Sequence, residues 1–207
     1  MRPSVLSRDD LGCSQCALLD RCDQEAQGGV RPVPNQFELD VTKIRENARR
    51  QMEKGPVTPA YGGDPNPVIG VLNDVLATEI VCYLRYTQNA AAGIDRFQVA
   101  AEFQEHAAEE LQHALRAAER INQLGGAPDF DPATLARRSH TEYSAPESTD
   151  LNTMLRENLV AERIVIESYT EIVRWIGAAD PTTRRLMEDI LEEEEEHADD
   201  LVDLLGI

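Results

Sequence analysis

Four stretches of three-four apolar periodicity, each about 25 residues long, constrain this chain more than any other feature. Helix A is expected over about 67–92, helix B over 97–124, helix C over 151–177 and helix D over 181–205. Asn66 is expected to cap helix A with Pro67 in its first turn, and Asp180 with Pro181 repeats the device for helix D. Short A–B and C–D connections make each pair an antiparallel hairpin, whereas the B–C connection runs from Gly125 to about Asp150. A helix of ~27 residues is ~40 Å long, and a link of ~25 residues spans that length with slack. The pattern predicts an all-α four-helix bundle with one long B–C crossover.

Upstream of the bundle, Phe37, Val41, Ile44, Ala48 and Met52 mark one amphipathic helix over 37–54, ended by Gly55-Pro56. Residues 1–35 mix charge, Gly, Pro and Cys13, Cys16 and Cys22 without periodicity, as a flexible or metal-held tail would. The expected organisation is thus a tail at 1–35, an N-terminal helix and linker at 36–66, and the bundle at 67–207. With 20 Lys+Arg against 38 Asp+Glu, the net charge of −18 repels nucleic-acid phosphate and anionic lipid and favours cations as partners. No 18-residue apolar stretch and no signal-like segment is evident, so neither a membrane span nor secretion is expected. Four cysteines in 207 residues do not make a disulfide framework, and a reducing cytoplasm follows.

Polar residues interrupt the inward stripes in a regular way. Helix A carries Glu79 on its seam and helix C carries Glu162, while helix B carries Glu110 and His113 and helix D carries Glu194 and His197. A Glu-x-x-His pair puts both side chains on one face, one turn apart. Four buried carboxylates without partners would rival the ~5–15 kcal/mol stability of a domain, so something cationic must neutralise them. Four carboxylates and two imidazoles are a ligand set for two divalent iron or manganese ions. The spacing supports an internal duplication: Glu79 and Glu162 are 83 apart, and Glu110 and Glu194, like His113 and His197, are 84 apart. Tyr86 and Tyr169 each lie seven residues beyond their helix's Glu. The remaining glutamates of the 192–196 run are expected to form a solvated face.

At these residues the chain resembles the ferritin-like superfamily, and within it the bacterioferritin and Dps-like di-iron group. The matching stretches are LNDVLATEIVCYLRY around Glu79, EELQHALRAAERI around Glu110, ENLVAERIVIESY around Glu162 and DILEEEEEHADDLVDLLG around Glu194. The resemblance implies a ferroxidase centre in each subunit, with Glu110 and Glu194 bridging two irons. Glu79 and Glu162 would bind one iron each terminally, and His113 and His197 would complete the sites. It further implies oxidation of two Fe(II) by O2 or H2O2 and a hollow homo-oligomeric shell. Tyr86, and Tyr169 by symmetry, is expected to pack and hydrogen-bond near the metals, with electron donation as its alternative role. Leu111 stands where haem-binding members of the group place a methionine, so typical haem ligation is not expected. Only ten residues follow His197, too few for the fifth helix of 24-subunit ferritins, so a dodecamer is favoured.

Other residues admit two readings each. His106 is either a hydrogen-bonded core histidine or an extra iron ligand on the way in, and Cys82 either packs or reduces an oxidised centre. The tail's Cys-x2-Cys-x5-Cys offers three thiols where zinc or an iron–sulfur cluster wants four ligands, so it is either an additional metal site or a reduced tail. Two rivals to a storing ferroxidase remain: a non-storing di-iron or di-manganese peroxidase-like enzyme, and a metal-free acidic helical interaction protein.

Overall fold

The computed structural model describes residues 37–92, 97–143 and 150–207. The cysteine tail, with Cys13, Cys16 and Cys22, lies outside the described residues. The chain divides into two units, Met1–Val41 and Thr42–Ile207. In the first, the described residues 37–40 are exposed and not helical. The helices are α1 (Val41–Arg50), α2 (Asn66–Ala91), α3 (Phe97–Gln123), α4 (Leu135–Arg138), α5 (Leu151–Ile176) and α6 (Pro181–Leu205), with a 3-10 turn at Met52–Lys54. No strand occurs among the described residues, and the fold is the expected all-α bundle.

The N-terminal helix is shorter than the periodicity from Phe37 to Met52 predicts. It buries none of its residues, so tertiary packing does not extend it, and a helix of this length is marginal by itself. Gln51 leaves the helical region at φ −130°, ψ 34°, and Gly55 ends the following turn at φ +57°.

α2 packs on α3 and α5 packs on α6, giving two hairpins, with α2 against α5 and α3 against α6 between them. The start of α2 differs from expectation. Asn66 is its first residue rather than its cap, and the Asp64 carboxylate accepts from the Asn66 N–H at 3.0 Å and from its side-chain amide at 2.8 Å. At α6 the expected cap is present: Asp180 accepts from the Thr183 N–H at 2.9 Å. Asp150 does the same for α5 through Thr153, also at 2.9 Å. By length and composition α2 qualifies as a membrane-crossing helix, contrary to the reading that no stretch is apolar enough. Its apolarity serves packing instead, since Leu72, Val75, Leu76, Ala77 and Val81 line the bundle core.

The crossover begins where α3 closes. Gly125 adopts φ +85°, and a Cβ on Gly126 would stand 2.7 Å from the Ile69 methyl, so only glycine fits there. The segment then climbs along α2. Asn73 accepts from the Asp129 N–H at 2.8 Å, Arg138 donates to the Asn73 carbonyl at 2.6 Å, Thr78 accepts from the His140 N–H at 2.9 Å, and Tyr143 donates to Gln88. From Ile69 to Gln88 it covers ~28 Å of helix, as an end-to-end crossover requires.

The core is apolar at both ends and polar in the middle. One cluster gathers Leu72, Leu76, Ile121, Val165, Met187 and Ile190, and the other gathers Tyr86, Phe103, Met154, Leu155 and Leu201. Glu79, Glu110, His113, Glu162, Glu194 and His197 stand on the same helices and are all buried.

Candidate metal centre

Each of the four long helices delivers its seam carboxylate to one place, because three-four spacing keeps all of them on the inward stripe. Their ligating atoms fall into two groups. Glu79, Glu110, His113 and Glu194 form one, and Glu110, Glu162, Glu194 and His197 form the other, with all ligating atoms in each group within 4.8 Å of one another. Glu110 and Glu194 belong to both. The two Glu-x-x-His helices, α3 and α6, therefore supply the shared carboxylates, while α2 and α5 supply one terminal carboxylate each.

Protein groups alone do not satisfy this cluster. Glu79 Oε2, both Glu110 oxygens, Glu162 Oε2, Glu194 Oε2 and His197 Nδ1 are buried with no hydrogen-bond partner. Burying such atoms unpaired costs about 1–3 kcal/mol each, more when charged. A pair of cations would satisfy them, and the donor set of carboxylates and imidazoles suits iron or manganese.

Charges within the cluster are arranged around Glu194. Burial works against its ionisation, but the His113 and His197 imidazoles outweigh it and hold its carboxyl down at about 2. His113 Nδ1 lies 2.9 Å from Glu194 Oε1 and 3.4 Å from Glu79 Oε2. Burial disfavours a charged His113, yet these carboxylates lift it to about 11. His197 is lifted against burial to about 9, chiefly by Glu194. Glu110 and Glu162 go the other way: burial, then the Glu194 charge, push both carboxyls well above the usual range.

Two hydrogen bonds cross the pseudo-symmetric halves. The Tyr86 hydroxyl on α2 donates to Glu162 on α5, and the Tyr169 hydroxyl on α5 donates to Glu79 on α2. Each tyrosine, seven residues beyond its own helix's glutamate, thus holds the other hairpin's terminal carboxylate. Both phenols are pushed well above their ordinary value by burial and by the neighbouring carboxylates, so they remain donors.

The outer nitrogens of the histidines are held as well, and here the solvated-face reading, which holds for the exposed Glu192, Glu195 and Glu196, needs correction at Glu193. His113 Nε2 stands 2.8 Å from Glu193 Oε2, and Arg116 donates to the other oxygen of Glu193 at 2.8 Å. His197 Nε2 stands 2.9 Å from Glu109 Oε2. Glu109 and Glu193 each directly precede a shared glutamate and are themselves 84 apart, a signal present in the sequence but masked by the abundance of acid around them. A carboxylate on the outer nitrogen fixes ring orientation and tautomer.

Of the residues with two readings, Cys82 is buried, with Sγ 3.8 Å from Thr141 Oγ1. Burial and then the Glu162 and Glu79 charges push its thiol well up, which makes it a poor thiolate source. His106 is buried, but without the hydrogen bond expected of a core histidine: neither ring nitrogen has a partner.

Comparison with known proteins bears on the family and the fold. The family model described as "Ferritin-like domain" matches residues 69–207. The chain is 30% identical over 155 residues to the "DNA protection during starvation protein" of Pyrococcus furiosus, covering 73% of this chain and 80% of that one. It superposes on the dodecameric thioferritin of Bacteroides fragilis, a bacterioferritin-related protein, with a TM-score of 0.66 and 34% identity, over 78% of this chain and 93% of that one. With the bacterioferritin of Desulfovibrio desulfuricans, whose solved structure has a di-iron site, the TM-score is 0.59 at 26% identity, over 69% and 80% of the two chains. A buried Glu/Glu-x-x-His layer repeated in two hairpins, joined by an end-to-end crossover, and a family match over the whole bundle place this chain in the ferritin-like family.

Proposed function

We propose that this protein is a ferroxidase that binds two Fe(II) per chain and oxidises them with O2 or H2O2, for iron storage and protection against oxidative stress. The observation that carries the reading is the pair of atom groups sharing Glu110 and Glu194, with buried oxygens that no protein group satisfies. In this assignment Glu79 and His113 would hold one ion and Glu162 and His197 the other, with Glu110 and Glu194 available to both. Two Fe(II) give up one electron each. O2 with two protons then becomes H2O2, or H2O2 with two protons becomes two waters. The Tyr86 and Tyr169 hydroxyls donate to Glu162 and Glu79 and hold those two carboxylates in place.

A homo-oligomeric shell fits the exposed apolar residues, among them Val160 and Ile164 one turn apart on α5, and Trp175 near its end. The dodecameric thioferritin makes twelve subunits the favoured number. We place the protein in the cytoplasm. A net charge of −18 repels nucleic-acid phosphate, and we count no nucleic acid among its partners.

Stepwise addition of Fe(II) to the metal-free protein under air tests the reading. Uptake far beyond two irons per chain, lost in Glu194→Ala, is the expected result. A stop at two would make it a non-storing di-metal enzyme, and no uptake would leave a metal-free helical interaction protein. A second expectation concerns the outer carboxylates. Glu193→Gln and Glu109→Gln should each weaken metal binding roughly 10–100-fold, measured by competition with a chelator. Affinity unchanged in both would show that these carboxylates do not orient the ligands.

A further inference from the structure

Beyond the six-residue cluster, Glu102, His106 and Asp200 bring three ligating atoms within 4.8 Å of one another. Glu102 and His106 lie one turn apart on α3, and Asp200 meets them from α6. His106 Nε2 stands 3.5 Å from Glu102 Oε1 and 3.5 Å from Asp200 Oδ2. These separations are longer than good hydrogen bonds. They match the ~3.4 Å between two ligands held ~2.1 Å from one ion at a tetrahedral angle. The histidine side chain is only 1% exposed and neither nitrogen has a hydrogen-bond partner, whereas Glu102 and Asp200 reach solvent at 32% and 52% exposure. A buried imidazole left unpaired beside two carboxylates is the arrangement an ion would complete.

The position gives this group its use. The His106 ring stacks on His197 with centroids 4.2 Å apart, and Tyr86 stands perpendicular to it with centroids 5.1 Å apart. An ion on His106 would thus sit one ring away from the group of Glu110, Glu162, Glu194 and His197, with carboxylates open to solvent on its other side.

We propose that Glu102, His106 and Asp200 form a third divalent-cation site, which takes Fe(II) from solvent and passes it to the Glu110, Glu162, Glu194 and His197 group. The binding half stands on these three residues alone, and the transfer half rests on the ferroxidase reading. Carboxylate and imidazole donors suit Fe(II), Mn(II) and Co(II) alike, so Co(II) serves as the probe.

Crystals of the full chain, wild type and the Glu102→Gln/Asp200→Asn double variant, are soaked in Co(II) and measured at the cobalt edge. The expected result is an anomalous peak ~2.1 Å from His106 Nε2 in the wild type, lost in the variant. In solution, the Fe(II) concentration for half-maximal oxidation should rise roughly ten-fold in the variant. Occupied central groups with no peak at His106, or an undiminished peak in the variant, would overturn the site. An unchanged half-maximal concentration would overturn the transfer role. A peak at His106 with the central groups empty would keep this site and remove the ferroxidase reading. Should the double variant fail to fold, Asp200→Asn alone, at the most exposed of the three positions, carries the same test.

Discussion

Glu110→Ala should reduce Fe(II) oxidation at least ~100-fold, beyond the 10–100-fold range typical of a residue that only orients a ligand, because Glu110 belongs to both atom groups. The opposite sign is expected for stability without metal. Both Glu110 oxygens are buried without partners, and burial followed by the Glu194 charge already drives its carboxyl toward neutrality. Glu110→Leu fills a similar volume with no polar atom to satisfy. The metal-free variant should therefore be more stable than the metal-free wild type by about 1–3 kcal/mol. At ~2–4 °C per kcal/mol for a chain of this size, calorimetry resolves the rise. Added metal should invert the order, since ligand binding to the folded wild type stabilises it by mass action. A metal-free Glu110→Leu that melts below the wild type would show that the carboxylate is structural.

Metal binding should also release protons. His113 and His197, lifted to about 11 and about 9, carry protons at pH 7 that an ion must displace, so affinity should increase with pH. The same shifts act on folding of the metal-free protein. A raised histidine stabilises fully below its unfolded value of 6.5, and that contribution fades as pH rises through about 9 for His197 and about 11 for His113.

Arg120→Ala should cost about 3–5 kcal/mol, the loss expected when one partner of a buried pair is removed. Arg120 reaches both Asp180 oxygens at 3.0 Å and the Thr183 hydroxyl at 2.8 Å, and Tyr61 donates to Asp180 at 3.0 Å. This network ties α3 to the cap of α6, far along the bundle from the metal centre, so iron oxidation in the folded variant should persist. Thermal unfolding should fall by ~6–20 °C. Burial opposes ionisation of Asp180, but Thr183, Arg120 and Tyr61 hold its carboxyl below 3.8. Its contribution is therefore present above that pH and lost as pH falls through the lower folded value, and the variant should show a flatter acid limb. A fall under ~2 °C would show that Thr183 and solvent satisfy Asp180 without the guanidinium.

Much of this molecule was legible from periodicity. Three-four spacing located all four bundle helices, and the same spacing put Glu79, Glu110, His113, Glu162, Glu194 and His197 on inward stripes, because a helix repeats its faces at fixed intervals whatever it packs against. The crossover length admitted an end-to-end path, which the contacts from Asn73 to Gln88 trace. Local cues failed at two helix ends. Pro65 takes the cap position of α2 with Asp64 bonded to Asn66, and α1 stops short at Arg50 because nothing buries its face.

What the sequence by itself determined is therefore which residues face inward and in what order along each helix. Only the tertiary structure decided which of them meet. The pairing of Tyr86 with Glu162 and of Tyr169 with Glu79, the choice of Glu109 and Glu193 from a surplus of acids, and the approach of Asp200 to His106 all join residues on different helices. Those contacts depend on the relative rotation and height of packed helices, and a period of 3.6 residues carries no record of either.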